Sequence, residues 1–378
     1  MRTIRVGAAV AAMIMLSACE EKLPPVATST SASAPTTIAI SPEQDLRTGK
    51  LAEGFRMADA LTLGSDIDPI FVRRGPLGVL TEPMLTIMSG HNNAVSAAAA
   101  AEGLITGFAV QRSNGGETST DTKWLTHGIM RFPDSASATR AAGALATAAT
   151  TQSGLLESGD WVVTDLPEAP DSRVVTMTNR GRLDGMAFTP HREYVMFTRV
   201  SNGALPDIGK IIRAALERQR PELDSFAATP VTELAKVPYD PTGIHALAVG
   251  EGGASRGAFG RRAAAHYADD QQAARALFDR AGVSAFGVEG SIVYRAADAT
   301  GAATLLAADT AEFGSDRDWK STAAPTAVPG SVCWAETDGS SWACLVSVGR
   351  YVAQVPADTE AEAHSLLAEQ HRALTAAK

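Results

Sequence analysis

Positive charge, long apolar runs and cysteine are all scarce in this sequence, and each shortage excludes a class of protein. The 33 Lys and Arg residues are outnumbered by 42 Asp and Glu residues, which gives a formal charge of −9. Nucleic-acid binding depends on cationic side chains, so nucleic acid is not an expected partner. The N-terminal apolar run at residues 6–16 is too short to cross a bilayer as a helix, which needs roughly 20 apolar residues.

What the N-terminus does contain is the pattern of an export signal. Arg2 and Arg5 provide a positive start, and the apolar run follows. The segment Leu16-Ser17-Ala18-Cys19 resembles the lipobox of bacterial lipoprotein precursors, in which small residues fit a peptidase and the cysteine thiol becomes a thioether to diacylglycerol. The sequence therefore predicts cleavage before Cys19 and lipid attachment to it. The alternative is an ordinary signal peptide cut nearby, with Cys19 a bystander.

We expect residues 1–18 to be a signal peptide and residues 19–48 to be a lipidated cysteine followed by a flexible stalk. The stalk is rich in Ser, Thr, Pro and Ala, and such a composition cannot bury enough apolar surface to fold. Cleavage removes two arginines and lowers the formal charge from −9 to −11. Attachment to the extracytoplasmic face of the cell membrane is therefore expected to depend on the acyl chains rather than on charge.

The other two cysteines, Cys333 and Cys344, are expected to form a disulfide outside the cytoplasm. They lie symmetrically about Asp338-Gly339, a dipeptide that favours a two-residue hairpin turn. Strands folded about that turn place the cysteines directly opposite each other, at a hydrogen-bonded position and within disulfide range. A metal or redox pair is the alternative, but the ten intervening residues fit neither a CxxC motif nor a zinc knuckle.

Three pairs of segments resemble each other in the same order and indicate two similar halves. The pairs are residues 98–108 with 277–286, 131–142 with 295–306, and 192–197 with 349–354. They correspond to a helix ending at glycine before a strand, an Asp- or Ser-capped alanine-rich helix, and a strand before a closing helix. A closing helix is predicted at residues 207–219 and again at 359–374.

The predicted fold class is α+β, with two similar sandwich domains that each pack helices on one face of an antiparallel sheet. Alternating strands such as Trp161–Leu166 and Ile292–Arg295 favour a sheet with one covered face. We place the first domain at residues 49–228 and the second, which carries the disulfide hairpin, at residues 229–378. The boundary falls near Pro230.

Residues 253–257 match the GxSxG pattern of a serine hydrolase, with Ser255 as the nucleophile. A nucleophile elbow needs a strand leading directly into the motif, but residues 250–253 add glycines where strain is required. The same loop, with Arg256 nearby, is also a weak candidate for a phosphate cradle. We favour a structural glycine-rich loop over either function.

Several other polar groups are better explained by structure than by chemistry. Asp66 and Asp68 resemble a paired-carboxylate site, although turn capping is the commoner role for such residues. His91 lies in the polar segment Ser89–Asn93, in which Asn92 or Asn93 is expected to cap a helix. His364 and His371 are seven positions apart, which does not match the spacing of a helical zinc pair.

Two tryptophans flank the hairpin turn and are expected to lie on opposite faces of the sheet. Trp342 shares a face with Cys344, and Trp334 faces the other way. Packing in the core is the commoner role for such a pair. The functional alternative is that the outward-facing indole lines a groove for a glycan, a lipid or a protein partner.

The segments Gly54–Pro69 and Arg262–Gly282 resemble those of a family of uncharacterised mycobacterial and nocardial (actinobacterial) cell-envelope lipoproteins. The resemblance implies the same compartment and a duplicated α+β architecture. It implies no activity and carries no catalytic residue to this chain.

The sequence therefore predicts a membrane-anchored envelope lipoprotein that is not an enzyme and binds a lipid, glycan or protein partner. No catalytic residue, cofactor or metal ligand is predicted, and a ligand is expected in a cleft between the halves. The alternatives are an assembly protein that docks another envelope protein without a small ligand, and a hydrolase that uses Ser255.

Overall fold

The structure, a computed structural model, describes residues 42–115, 122–151, 159–179, 181–253 and 255–378. The predicted signal peptide, Cys19 and most of the predicted stalk lie outside these residues. No helix in the described part of the chain is long and apolar enough to cross a membrane.

The first half of the chain forms a seven-stranded antiparallel sheet and six helices. Its strands are β1 (Arg73–Val79), β2 (Thr106–Ser113), β3 (Trp124–Arg131), β4 (Val162–Val163), β5 (Arg173–Asn179), β6 (Arg182–His191) and β7 (Tyr194–Gly203). Its helices are α1 (Pro42–Ala60), α2 (Gly64–Ile67), α3 (Glu82–Met88), α4 (Asn93–Ala101), α5 (Ser135–Thr151) and α6 (Leu205–Ser225).

The second half forms another seven-stranded antiparallel sheet. Its strands are β8 (Gly257–Phe259), β9 (Ala285–Val288), β10 (Ile292–Arg295), β11 (Trp319–Thr322), β12 (Val332–Glu336), β13 (Trp342–Val348) and β14 (Tyr351–Ala357). Its helices are α7 (Arg261–Ala264), α8 (Gln271–Ala281), α9 (Ala299–Ser315) and α10 (Glu360–Ala376).

The two sheets have the same topology. The strand order is β1-β2-β3-β7-β6-β5-β4 in the first and β8-β9-β10-β14-β13-β12-β11 in the second. The register agrees as well, because Arg131 pairs with Tyr194 in the first sheet and Arg295 pairs with Tyr351 in the second. The prediction of an α+β fold with two similar halves is confirmed.

This shared register assigns an equivalent residue in one half to each strand residue in the other. Tyr194 and Tyr351 differ by 157 positions, and this offset relates β7 to β14. The same offset relates β6 to β13, because Phe188 pairs with Phe197 as Leu345 pairs with Gln354. Residues related in this way are called equivalent below.

Helices cover both faces of each sheet, where the alternation in the sequence predicts one covered face. In β7, Met196 packs into the core formed with α1 and α6, and Phe197 packs into the core formed with α3, α4 and α5. In β13, Val346 packs with α10 and Leu345 packs with α9. The reason is that the central strands carry apolar residues in both alternations, as strands buried on both faces do.

Helix α1 begins at Pro42, inside the segment predicted to be stalk. Proline is favoured at the first helical position, where its missing N–H has no intrahelical partner to lose. Glu43 and Asp45 lie in the first turn, where carboxylates are stabilised by the helix dipole. Residues 42–48 therefore belong to the helical first half.

A buried glutamine ties the last helix of each half to its sheet. In the first half, Gln219 Oε1 lies 3.1 Å from His127 Nε2, and its Nε2 donates to a backbone carbonyl at 2.8 Å. In the second half, Gln370 Oε1 accepts from Ser291 Oγ at 2.5 Å, and its Nε2 donates to a backbone carbonyl at 2.7 Å. His127 on β3 and Ser291, which directly precedes β10, occupy equivalent positions, so the glutamines relate α6 to α10.

The two halves meet in a continuous apolar core. Phe259 of the second half lies 5.0 Å from Phe55 and 6.0 Å from Phe108 of the first half, measured between ring centroids. Tyr267 lies 5.4 Å from the same Phe259 ring. Aromatic contacts of this geometry stabilise an interface beyond the area that they bury. The predicted interdomain cleft is therefore filled over its centre by packed rings.

Buried polar groups fasten the same junction. Arg112 is 0% exposed and donates to the backbone carbonyls of Phe71 and Val72 in the first half and of His266 and Asp269 in the second. Burial lowers the pKa of Arg112 to about 10. The carboxylate of Asp59 accepts hydrogen bonds from two backbone N–H groups of the second half, at 2.9 and 3.1 Å. Rigid attachment of one half to the other follows from these contacts.

Candidate functional site

The two halves differ at the corner where the last strand leads into the last helix. Gln219 follows Tyr194 by 25 positions, whereas Gln370 follows Tyr351 by only 19. Helix α6 begins 14 positions before its glutamine, and α10 begins ten positions before its own. Helix α6 therefore has one additional N-terminal turn, because a turn takes 3.6 residues.

In the first half this additional turn closes the corner. Ile208 is fully buried on Gly185 of β6, so closely that a Cβ on the glycine would lie 2.6 Å from Ile208 Cγ2. In the second half the residue equivalent to Gly185 is Trp342, and the turn that carries Ile208 has no counterpart. A tryptophan thus occupies the position at which the first half requires a glycine.

A pocket of about 350 Å³ lies at this corner of the second half. It is called the corner pocket, and the residues that line it include Glu251, Trp319, Trp342, Gln354, Asp358 and Glu362. Gly250 and Gly290 contribute backbone to its wall. Its volume falls within the range of small-molecule sites, although at the lower end.

Gln354 lines the corner pocket and carries its only buried side-chain amide among the described residues. It is 1% exposed, and within the described part of the chain neither its Oε1 nor its Nε2 has a hydrogen-bond partner. The equivalent residue in the first half is Phe197, which stacks on Phe188 at a centroid distance of 5.4 Å. An unpaired buried amide costs on the order of 1–3 kcal/mol, so the fold alone does not account for glutamine here.

Two half-buried tryptophans form the aromatic part of the pocket. Trp319 is held by Phe313 of α9 in an edge-to-face contact, with ring centroids 4.9 Å apart. Trp342 is the first residue of β13 and therefore lies at the end of the sheet that borders the pocket. Trp334, the outward-facing indole that the sequence leaves as the groove candidate, is 5% exposed and stacks on Phe313 at 4.9 Å, so it belongs to the core. Trp342, which the sequence places on the disulfide face, lines the pocket together with Trp319.

The rim of the corner pocket is acidic. Glu251, Asp358 and Glu362 are exposed, and no hydrogen bond or ion pair of their carboxylates occurs among the described residues. Within that part of the chain, none of the residues that line the pocket is Lys, Arg or His. The pocket thus combines indole side chains with uncompensated negative charge, whereas the amide of Gln354 lies on the sheet face of Leu345, opposite that of Trp342.

The predicted disulfide between Cys333 and Cys344 is present beside this corner. The two residues are directly paired in β12 and β13, with Cα atoms 4.1 Å apart. The predicted hydrogen-bonded position is wrong, because the turn places the hydrogen bond between Glu336 N and Ser341 O and shifts the alternation by one residue. The closer, non-hydrogen-bonded pairing suits the cysteines better. Their equivalents in the first half are Val174 and Ala187.

Two further pockets lie at the edge of the junction between the halves, on either side of Tyr239. One of about 610 Å³ includes Arg56 and Lys236, and one of about 290 Å³ includes Arg47 and Arg256. In the larger pocket, Arg56 and Lys236 each form an ion pair with a glutamate. Residual space at the junction is therefore peripheral to the packed rings.

Ser255 lies at this junction in a structural role. Its hydroxyl donates to the backbone carbonyl of Leu77 at 3.0 Å, and its own carbonyl accepts from Tyr267 at 2.5 Å. The motif precedes strand β8 instead of joining a strand to a helix, so its local geometry is not that of a nucleophile elbow. The Gly252 N–H is occupied by the carboxylate of Glu289 at 3.0 Å, which places a carboxylate where a phosphate cradle would need a free donor.

The other predicted candidates are separated from one another. Asp66 accepts from Gln272 at 2.5 Å and contributes to the junction, and Asp68 accepts from a backbone N–H in a local turn at 3.0 Å. Asn92 caps α4 through hydrogen bonds to two backbone N–H groups. His91 is exposed with a φ of 64°, a left-handed conformation at the turn before that cap.

His364 lies closer to the cysteines than the sequence indicates. One ligand atom each of Cys333, Cys344 and His364 lie within 4.8 Å of one another, the only such group of three among the described residues. Metal binding requires thiolates, and both sulfur atoms are in the disulfide. His364 Nε2 lies 3.1 Å from the carbonyl of Ala323, and His371 lies about two turns further along the same face of α10.

Asp309 and His127 are two of the buried ionisable groups that were not identified from the sequence. Burial raises the pKa of Asp309 on α9 to about 7 and lowers the pKa of His127 on β3 to about 4. Asp309 is 5% exposed, and it acts electrostatically on the buried hydroxyl of Tyr294. Asp134 and Asp298 cap α5 and α9 and are equivalent, which makes Leu145 the equivalent of Asp309.

Comparisons with other proteins identify the family of the chain. No curated protein matches it in sequence. Among solved structures, the extracellular domain of PknH from Mycobacterium tuberculosis is similar, with 13% identity and a TM-score of 0.32 over 43% of this chain and 96% of that one. The N-terminal model of the domain of unknown function DUF7373 matches residues 40–239, and the C-terminal model matches residues 240–377. The chain therefore belongs to the DUF7373 family.

Proposed function

We propose that this protein is a membrane-anchored lipoprotein of the cell envelope that binds a partner without catalysis, and that the partner is a glycan held in the corner pocket. A lipid or a protein in the same pocket is the wider class that the sequence leaves open. The observation that carries the proposal is the corner pocket itself, which is lined by Trp342 where the first half has Gly185, and by a second indole, that of Trp319.

The chemistry of these groups suits a sugar ring. Indole faces pack against the C–H surfaces of a pyranose, and exposed carboxylates such as Asp358 and Glu362 accept hydrogen bonds from its hydroxyls. The aliphatic lining of a lipid site is limited here to residues such as Leu366.

Binding is tested by titrating the mature chain with N-acetylglucosamine oligomers and following tryptophan fluorescence. The decisive variant combines Trp342→Gly and Gln354→Phe, which introduces the residues of the first half into the corner pocket. We expect binding by the native chain and loss of binding by this variant. Trp342→Phe, which keeps an aromatic face, should retain most of the affinity. Equal affinity of the native chain and the double variant would exclude the pocket.

Anchoring is tested separately on Cys19. In the native host, a clickable palmitate analogue should label the chain, and Cys19→Ser should abolish both labelling and recovery with membranes. Cys333→Ser serves as the control, because its thiol is assigned to the disulfide. A Cys19→Ser chain that still carries the label would overturn the anchoring proposal.

A further inference from the structure

We propose that the disulfide hairpin of the second half is a redox-controlled zinc site, in which reduction of Cys333–Cys344 frees two thiolates that bind Zn²⁺ together with His364. This inference is independent of glycan binding in the corner pocket. It is argued from the placement of the three side chains, from the orientation of His364, from an unpaired hydroxyl beside the sulfur atoms and from the contrast with the first half.

The first argument is that three zinc-ligand side chains already lie together. One ligand atom each of Cys333, Cys344 and His364 lie within 4.8 Å of one another. Two thiolates bound to one tetrahedral zinc ion are about 3.8 Å apart, because each Zn–S bond is about 2.3 Å long. Cysteines whose Cα atoms are 4.1 Å apart on paired strands reach this separation by side-chain rotation once the S–S bond is broken.

The second argument is the orientation of His364. Its Nε2 lies 3.1 Å from the carbonyl oxygen of Ala323, and because a carbonyl oxygen only accepts, the Nε2–H group donates to it. In the neutral ring the lone pair is then on Nδ1, where it is available to a metal ion. Histidines that bind zinc usually donate their other N–H group to a carbonyl or a carboxylate in the same way.

The third argument is an unpaired hydroxyl beside the sulfur atoms. Thr322 pairs directly with Cys333 in the register of β11 and β12, so the two side chains lie on the same face of the sheet. Thr322 Oγ1 is buried and has no hydrogen-bond partner among the described residues. A thiolate at Cys333 would accept a hydrogen bond from this hydroxyl. The equivalent hydroxyl in the first half, that of Thr164, is already paired with Thr176 at 2.6 Å.

The fourth argument is that the first half has none of the three ligands at the equivalent positions. The cysteines correspond there to an apolar pair. His364 precedes Gln370 by six positions, and the residue six positions before the equivalent Gln219 is Arg213. The three ligands are therefore a property of the second half and not of the shared topology.

The reaction balances with a dithiol as the reductant. Two electrons and two protons pass from the dithiol to the disulfide, so the S–S bond breaks, Cys333 and Cys344 become thiols and the reductant becomes a disulfide. Zn²⁺ then displaces both thiol protons and accepts the lone pair of His364, and a water molecule fills the fourth position. Reoxidation of the two thiols to the disulfide releases the ion.

The test uses the mature chain with Cys19→Ser, in which Cys333 and Cys344 are the only cysteines. This parent chain is reduced with a phosphine, which is then removed in the absence of oxygen, and alkylation followed by mass measurement verifies two free thiols. Co²⁺, whose charge-transfer band reports thiolate ligands, is titrated first and Zn²⁺ second. We expect one Co²⁺ per reduced chain, its displacement by Zn²⁺, and no such band with the oxidised chain.

His364→Asn separates a three-ligand site from a simple pair of thiols. Removing the ligand should weaken Zn²⁺ binding by the reduced chain at least about tenfold, since even the loss of a group hydrogen-bonded to a ligand costs this much. His371→Asn, on the same face of α10, is the matched control and should leave the affinity unchanged. Equal affinity of His364→Asn and the parent chain, or no ion bound by the reduced parent chain, would overturn the inference.

Thermal unfolding distinguishes binding by the folded chain from binding by loose thiols. Zn²⁺ should raise the melting temperature of the reduced parent chain and of His371→Asn more than that of His364→Asn, because an ion that binds the folded state stabilises it. If reduction unfolds the second half, Zn²⁺ should restore the folded state. Binding with neither effect would assign the ion to the unfolded chain and overturn the inference. None of these results bears on glycan binding by the oxidised chain.

Discussion

The two halves have the same strand order and register, yet only the second leaves a pocket between its last strand and last helix. The first half fills that corner with Ile208 packed on Gly185. The second half is six positions shorter there and places Trp342 at the glycine position. The same topology therefore closes this corner in one half and leaves it open, with a tryptophan at the glycine position, in the other.

The comparison also applies to buried residues away from the pocket. Where the first half has Leu145, Val174 paired with Ala187, His127 and Phe197, the second half has Asp309, the disulfide, Ser291 and Gln354. Each pair of equivalents differs in charge, cross-linking or hydrogen bonding while the backbone pattern stays the same. A substitution that introduces the equivalent residue of the other half therefore tests each difference, because that residue already occupies the same position in a folded half of this chain.

The largest change in the free energy of unfolding is expected from substituting Asp309, because burial raises the pKa of its carboxyl to about 7. Because this pKa is raised, the folded state holds the proton more tightly than the unfolded chain does. The stability that the protonated carboxyl contributes is fully present below the ordinary pKa of 3.8 and is lost as the pH rises through about 7. Asp309→Leu should therefore raise the free energy of unfolding by up to about 4 kcal/mol above pH 7, and by less towards pH 4.

Urea unfolding between pH 4.5 and 8 measures this effect. Asp318→Leu is the control, because Asp318 is exposed and should show no such pH-dependent gain. If the difference between Asp309→Leu and the native chain did not grow with pH, the carboxyl would not be buried as described.

The next effect is that of the disulfide. Cys333→Val with Cys344→Ala copies the pair Val174 and Ala187 and removes the cross-link while keeping apolar packing. The free energy of unfolding should fall by about 3 kcal/mol, because a short loop is no longer closed in the unfolded state. Reductant should lower the stability of the native chain to the same extent and leave the variant unchanged. An effect of reductant on the variant would contradict this assignment.

His127 gives a smaller effect with the opposite pH dependence. Its pKa is lowered to about 4 by burial, so the folded state favours the neutral ring. The associated stability is present above the ordinary pKa of 6.5 and is lost as the pH falls towards 4. His127→Ser copies Ser291 and should remove this dependence, which amounts to at most about 3 kcal/mol at pH 4. Thermal unfolding between pH 4 and 7 measures it, with His91→Ser as the exposed control.

The smallest effect concerns the two buried glutamines of the second half. Gln354→Phe removes an unpaired amide and should raise the free energy of unfolding by about 1–2 kcal/mol. Gln370→Leu breaks two hydrogen bonds of a paired amide and should lower it. Denaturant unfolding of both variants measures whether the free energy of unfolding rises for Gln354→Phe and falls for Gln370→Leu. A loss of stability in both would mean that Gln354 serves the fold as Gln370 does.

The repeat and the disulfide could be predicted because their signals are local. The pairing of Cys333 with Cys344 follows from one turn. The repeat follows from three pairs of short segments, and the strand register of the two sheets aligns the same segments with each other. The covering of both sheet faces was missed, because strands such as Trp161–Leu166 alternate although the central strands do not. The start of α1 at Pro42 was missed for a similar reason, since the composition of the flanking tail dominated.

The corner pocket could be predicted only in part. The distance from the hairpin turn correctly places the two tryptophans on opposite faces, but the outward-facing candidate, Trp334, is in the core, and Trp342 lines the pocket. Trp319 and Gln354 come from separate strands, and their positions at the pocket depend on the register of β11 to β14. The only sequence signal for Gln354 is one polar residue inside an apolar strand.

The central claim is that the second half holds a ligand where the first half is closed, and native mass spectrometry tests it most directly. The mature chain and its Trp342→Gly, Gln354→Phe variant would be purified from the envelope of the native host, and any bound molecule extracted with solvent. We expect a discrete bound mass that contains a sugar on the native chain and its absence from the folded variant. The same bound mass on both chains, or none on either, would contradict the account.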